Sequence, residues 1–75
     1  MTELIHDFGL AVRHFRDQRG WSQELLAEKA DLNRSYLGEV ERGRAIPSLV
    51  TVGKLAAALE LPLSSLLAHC ERQAA

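Results

Sequence analysis

Cysteine occurs once in these 75 residues, at Cys70, proline twice, and aromatic residues make up only 5%. A single cysteine excludes an internal disulfide framework and suits a reducing compartment, so a cytoplasmic protein is expected. No apolar run exceeds the five residues 55–59, far short of the about 20 that cross a bilayer, and no membrane partner is expected. The first residues carry Glu3 and Asp7 in place of a basic start and an apolar block, so no signal peptide is read there. Positive charge is not in excess either: nine Lys+Arg stand against ten Asp+Glu, which excludes a basic tail or a uniformly basic surface. Paired carboxylates, a nucleophile with its base and a phosphate loop are all missing. His6, His14, His69 and Cys70 show no metal-ligand spacing, and the neighbours His69 and Cys70 would point about 100° apart on a helix. Neither an enzyme nor a cofactor nor a metal is therefore expected.

What is present is helical periodicity broken by turn signals. Leu4, Ile5, Phe8, Ala11, Val12 and Phe15 recur three and four apart and form one apolar stripe. They predict a helix over about 3–19, with Leu10 outside the stripe, Arg16 on its border and Gly20 as the stop. Ser22 is a natural cap for a short helix over about 22–29, with Leu26, Ala27 and Ala30 inward. Asn33 caps a third over about 34–42, with Leu37 and Val40 inward and Gly43 beyond it. Ser48 caps a fourth over about 49–59, whose apolar face reads Leu49, Val52, Leu55, Ala56 and Leu59. A last helix, about 63–71, carries Leu66 and Leu67, and the tail Gln73-Ala74-Ala75 is expected to fray. No stretch reads as a strand. The expectation is one all-α domain over residues 1–75, five short helices in a compact repressor-like arrangement.

Two short helices joined by a three- to four-residue turn, about residues 22–43, form a helix-turn-helix unit. Beyond its inward Leu37 and Val40, the second of these helices presents Arg34, Ser35, Tyr36, Gly38, Glu39 and Arg42. A helix fits the major groove and its N-terminal side chains reach base edges first. Arginine pairs bidentately with guanine, and serine serves several bases. Residues 32–54 hold four basic and two acidic groups, whereas both flanking segments are net acidic. The near-neutral total thus hides one locally positive stretch, as phosphate binding requires. Gly38 is read as permitting close approach to DNA, with close helix packing as the alternative, and Trp21 as packing over the turn.

The order of motifs carries a resemblance. Gly20-x-Ser22-Gln23-x-x-Leu26-Ala27, Ser35, Glu41-Arg42-Gly43, Pro47-Ser48-Leu49 and Leu55-Ala56-x-x-Leu59 together resemble the Xre-type helix-turn-helix family of phage repressors and small bacterial regulators, over about residues 5–68. Asn33-Arg34-Ser35-Tyr36 followed by Val40-Glu41-Arg42-Gly43 resembles its restriction–modification controller proteins. The resemblance implies base reading by Arg34, Ser35 and Glu39, with Tyr36 touching backbone or thymine methyls. It implies phosphate contacts from Gln23, Asn33, Arg42, Arg44 and Ser48, and a structural ion pair between Arg16 and Glu41. There is no basic arm before the first helix, and Ile46 and Pro47 stand where some relatives carry basic residues. Minor-groove reading is therefore not carried over. Glu39 facing DNA repels phosphate unless it accepts from a cytosine amine, and from the residues alone a solvated surface carboxylate is the favoured reading.

A domain this small buries only about 60% of its unfolded surface, and Leu61, Leu63, Leu66 and Leu67 exceed what one terminal helix needs. A dimerisation segment is expected over about 60–71, with these leucines at the seam. The expected partners are double-stranded DNA, a second copy of the chain and RNA polymerase, which the protein would block or contact from upstream. The competing reading is an antitoxin or protein-interaction module on the same fold.

Overall fold

The computed structural model describes residues 2–74, which form five α-helices and, among the described residues, no strand. They are α1 Thr2–Gln18, α2 Gln23–Lys29, α3 Arg34–Glu41, α4 Leu49–Ala58 and α5 Leu63–Ala74. Helices α1 to α4 end within a residue of their expected bounds. Helix α5 runs three residues further, so two of the tail residues are helical, and Ala75 lies outside the described residues.

Local chemistry explains the agreement. The Ser22 hydroxyl accepts from Leu25 N at 3.0 Å, and Asn33 Oδ1 from Ser35 N at 2.8 Å and Tyr36 N at 3.3 Å. The Ser48 hydroxyl accepts from Thr51 N at 3.1 Å. Each satisfies helix-start donors that have no partner within the helix. The ends of α1, α2, α3 and α4 share one device. A residue at positive φ follows the helix: Gly20, Asp31, Gly43 and Glu60. The next amide then bonds back to a carbonyl of the last turn: Trp21 to Arg16, Leu32 to Ala27, Arg44 to Glu39, Leu61 to Ala56. This is the Schellman stop. Two of its four left-handed residues are not glycine.

Helix α1 packs on α3 and α5, α2 on α3 and α4, and α4 on α5. Leu26, Leu37, Leu55, Leu59 and Leu66 are fully enclosed, with Phe8, Val12, Val40 and Cys70 around them. Gly9 fixes the crossing of α1 over the end of α3. A Cβ there would meet the carbonyl oxygens of Val40 and Glu41 and lie 2.9 Å from the Glu41 carbonyl carbon. Arg19 ties the end of α1 to α4, donating to the carbonyl oxygens of Phe15 and Leu59. His14 and His69, far apart in sequence, stack across the α1–α5 contact at 4.6 Å, with Phe15 edge-on to both.

Two apolar expectations are corrected. Leu66 is 0% exposed, so it belongs to the core of the single chain and leaves the expected seam. Leu49 is 76% exposed. It stands in the first turn of α4, where no neighbouring helix covers the stripe that continues through Val52, Leu55 and Leu59. Val50 and Ile46 are exposed beside it. Among the described residues no single helix is long and apolar enough to cross a membrane.

Candidate nucleic-acid interface

Helix α3 is held by its buried side. Leu37 and Val40 are fully enclosed, and Glu41, though charged, is 6% exposed. Burying a carboxylate is costly unless it is paired and hydrogen-bonded, and here it is both. Arg16 Nε donates to Glu41 Oε2 at 2.8 Å and Nη2 to Oε1 at 2.9 Å, a two-point fork. Arg16 Nη1 donates to the Trp21 carbonyl at 2.8 Å. The hydrogen bond to Glu41 raises the Arg16 pKa against the opposing effect of burial, with the charges of Glu41 and Asp17 adding to the rise. Geometry therefore places Arg16 and Glu41 together as the resemblance implied.

Gln23 extends this network. Its Nε2 donates to Glu41 Oε1 at 2.9 Å. The same carboxylate thus fastens the end of α3 to α1 and to the first residue of α2. Trp21 covers the turn between α1 and α2, with Lys29 Nζ 4.9 Å and Arg19 Cζ 5.8 Å from its ring centre, a packing role.

On the outer side lies an open cleft of about 280 Å³ lined by Gln23, Arg34, Ser35, Gly38, Glu39 and Arg42. Three of the four expected base-reading residues, Arg34, Ser35 and Glu39, meet there with two of the expected phosphate residues. Arg34 and Ser35 are exposed on the first turn of α3, where a helix end meets a groove. Tyr36 does not join them. It is half-buried and packed against the core. Asn33, Arg44 and Ser48 also lie outside the cleft lining. Asn33 spends its side-chain oxygen on capping α3. The Ser48 hydroxyl caps α4 and donates to Thr51 Oγ1 at 3.1 Å. Arg44 is exposed in the connection from α3 to α4.

Charges on this face are arranged differently from their order in sequence. Glu41 is neutralised from inside by Arg16, and Lys54 turns towards Asp31, its Nζ 3.8 Å from Oδ2. Arg34, Arg42 and Arg44 remain, against the single carboxylate of Glu39. Arg42 is bound to that carboxylate, Nη2 to Oε2 at 2.7 Å and Nε to Oε2 at 3.2 Å. Neither the Gln23–Glu41 bond nor this fold-back of Arg42 was foreseen from sequence. The first depends on how α2 meets α3. The second had one available signal, a glycine four residues before the arginine on a short helix.

A helix-turn-helix family profile matches residues 12–66. The chain is 33% identical over 67 residues to the HTH-type transcriptional regulator SutR of Escherichia coli, covering 89% of this chain and 38% of that protein. It is 32% identical over 74 residues to the control protein C.MunI of Mycoplasma sp, covering 97% of this chain and 100% of that protein. Among solved structures it is similar to the restriction–modification controller protein C.AhdI from Aeromonas hydrophila, with a TM-score of 0.81 and 44% identity over 88% of this chain and 98% of that one. The chain thus spans less than half of SutR and of the phage phi105 immunity repressor (41%) but the whole of C.MunI.

Proposed function

The chain belongs to the helix-turn-helix family, and from that premise we propose that it is a sequence-specific DNA-binding transcriptional regulator of the restriction–modification controller type, acting as a homodimer on a pseudo-palindromic operator. The observation that carries this reading is the convergence of Arg34, Ser35, Gln23 and the paired Arg42 and Glu39 on one open face of α3. Helix α3 enters the major groove with its first turn leading. Arg34 takes a guanine through O6 and N7, and Ser35 contacts the neighbouring base. Gln23, its amide oriented by Glu41, reaches phosphate from the start of α2. Arg44 and Asn33, through its amide nitrogen, add backbone contacts beyond the cleft. These contacts set position, and the base contacts set sequence.

Dimerisation supplies the second half-site. Two α3 helices about 34 Å apart meet successive major grooves on one side of the duplex. The residues suited to a second copy are the exposed Ile46, Leu49 and Val50, with Leu63 and Leu67 from α5; Ile46 and Leu67 line one apolar recess. Leu61 contributes less, being half-buried against the core. The similarity to C.MunI over its whole length and to C.AhdI in fold favours the controller type.

Selection from a random duplex pool at moderate salt tests the reading. Enrichment of a two-fold-symmetric sequence is expected, and a flat pool overturns it. Arg34→Ala is expected to lose about 1–3 kcal/mol of discrimination at one base pair per half-site, measured by competition titration with single-base operator variants. Equal selectivity in Arg34→Ala removes Arg34 from the readout.

A further inference from the structure

Gly38 and the Glu39–Arg42 pair have no role in stability that accounts for them. A glycine inside a helix is less favourable than alanine, and an exposed ion pair three residues apart contributes little. Close packing of α2 on α3 does not require the glycine. The three atoms nearest to a Cβ built on Gly38 all belong to the Arg42 guanidinium: Nη2 at 3.2 Å, Nη1 at 3.3 Å and Cζ at 3.5 Å. The absent side chain makes a seat for that guanidinium.

Arg42 is the C-cap of α3. An arginine there that ran outward would lie beyond the helix, suited to a phosphate. Here it folds back by a turn over Gly38 into the cleft that also holds Arg34 and Ser35. Glu39 clamps it through one oxygen, which takes both Nε and Nη2. A guanidinium has five donors in a flat fork. With Nε and one Nη2 hydrogen engaged, both Nη1 hydrogens and the second Nη2 hydrogen remain. A neighbouring pair of these matches the guanine acceptors O6 and N7. Both side chains are about half exposed, 50% for Arg42 and 44% for Glu39, so the fork is open to a ligand while the two bonds to Glu39 favour one orientation of its plane.

We propose that Arg42 is a second guanine-reading residue and that Glu39 is its positioning residue, with Gly38 providing the seat. This rests on the DNA-binding reading above and changes two assignments within it. Arg42 moves from phosphate to base, and Glu39 supports an arginine in place of reading cytosine. It also resolves the awkward presence of a carboxylate facing DNA, because the paired charge repels phosphate far less than a bare one.

The test uses the full chain and the operator recovered from the random duplex pool, with affinities measured for every single base-pair variant at two salt concentrations. Arg42→Ala is expected to lose roughly ten- to hundredfold of the preference at one G·C pair per half-site, distinct from the pair lost in Arg34→Ala. Glu39→Ala is expected to weaken preference at the same pair as Arg42→Ala, whereas Glu39→Gln, which keeps an oxygen acceptor for the guanidinium, retains it. Adding Glu39→Ala to Arg42→Ala should change discrimination no further. If Arg42→Ala weakens binding equally on all duplexes and lowers the salt slope by about one, Arg42 is a phosphate contact and the proposal falls. If Glu39→Ala acts at a different pair, direct reading by Glu39 replaces it. In both cases the operator itself survives, whereas failure of the wild-type chain to enrich any sequence removes the DNA-binding reading as well.

Discussion

At residue scale the Glu41 carboxylate, whose side chain is 3% exposed, carries a large desolvation cost. Its three hydrogen bonds come from two other helices or their flanks, Arg16 on α1 and Gln23 at the start of α2. Replacing Arg16 by methionine keeps much of the volume but leaves a buried carboxylate with one amide for company. A loss of about 3–5 kcal/mol is expected, read as a lowered urea midpoint. The double variant Arg16→Met/Glu41→Met should recover most of it, since removing both charges removes the stranded one. A single-variant loss below about 1 kcal/mol would show that the pair contributes little. Because the folded Arg16 pKa is raised, its contribution is complete below the ordinary guanidinium range and fades only as pH rises through the raised value. No dependence on pH near neutrality is expected from Arg16. The pair was legible in sequence only through the family resemblance, helped by the place of Arg16 at the border of the α1 stripe.

Cys70 behaves oppositely to a reactive thiol. It is 1% exposed, its Sγ lies 3.7 Å from the Leu4 carbonyl oxygen, and burial, with Asp7 and Glu71 adding, pushes its pKa up. A thiol whose pKa is higher folded than unfolded stabilises the fold fully below the ordinary thiol range. The unfolded chain ionises first as pH rises through about 8.5, so stability from Cys70 declines from there towards the raised folded value. Alkylation by iodoacetamide at neutral pH should therefore proceed at the rate of opening, accelerating in urea. Rapid labelling of the native protein would contradict that burial.

At the scale of elements, what sequence made legible was local. Ser22, Asn33 and Ser48 announce helix starts because capping acts over three residues, and the core stripes follow from the period of the helix. Glycines 20 and 43 marked two stops, but Asp31 and Glu60 adopt the same left-handed conformation, at φ 55° and 59°. There the following turn, not residue preference, dictates the backbone. A side chain at that φ costs about 1–2 kcal/mol; glycine would relieve that strain, but its freer unfolded chain offsets part of the gain. Glu60→Gly is expected to raise stability by up to about 1 kcal/mol in thermal or urea melts. Asp31→Gly should gain less, because Lys54 Nζ reaches the Asp31 carboxylate. A loss of stability in Glu60→Gly would mean that the Glu60 side chain makes a contact worth more than the strain. What sequence did not make legible depends on the meeting of helices: the crossing at Gly9, the stacking of His14 on His69, the enclosure of Leu66 and the bond from Gln23 to Glu41. Each lies between elements whose mutual register no local pattern encodes.

At the scale of the whole molecule, the thin core and the uncovered apolar side belong to one argument. The domain measures 31 × 22 × 22 Å and leaves Ile46, Leu49 and Val50 each more than two-thirds exposed. Beside them a second cleft of about 260 Å³, lined by Leu4, Ile5, Phe8, Pro47, Val52 and Leu67 among others, is almost wholly apolar. Protruding side chains next to a recess are what a two-fold contact requires, since each copy must offer both. Leu49→Glu/Val50→Glu changes only side chains that face solvent in the single chain, so its folding stability should stay within about 0.5 kcal/mol of wild type. The wild-type chain is expected to sediment at twice its 8.3 kDa mass, and this variant at the single-chain mass, with operator binding lost at concentrations where wild type saturates. Leu10→Glu, on the solvent side of α1, should remain dimeric. If Leu63→Glu/Leu67→Glu dissociates the dimer and Leu49→Glu/Val50→Glu does not, the seam runs along α5 alone. If wild type sediments at the single-chain mass while saturating its operator, the two half-sites are filled independently and the apolar side serves another partner.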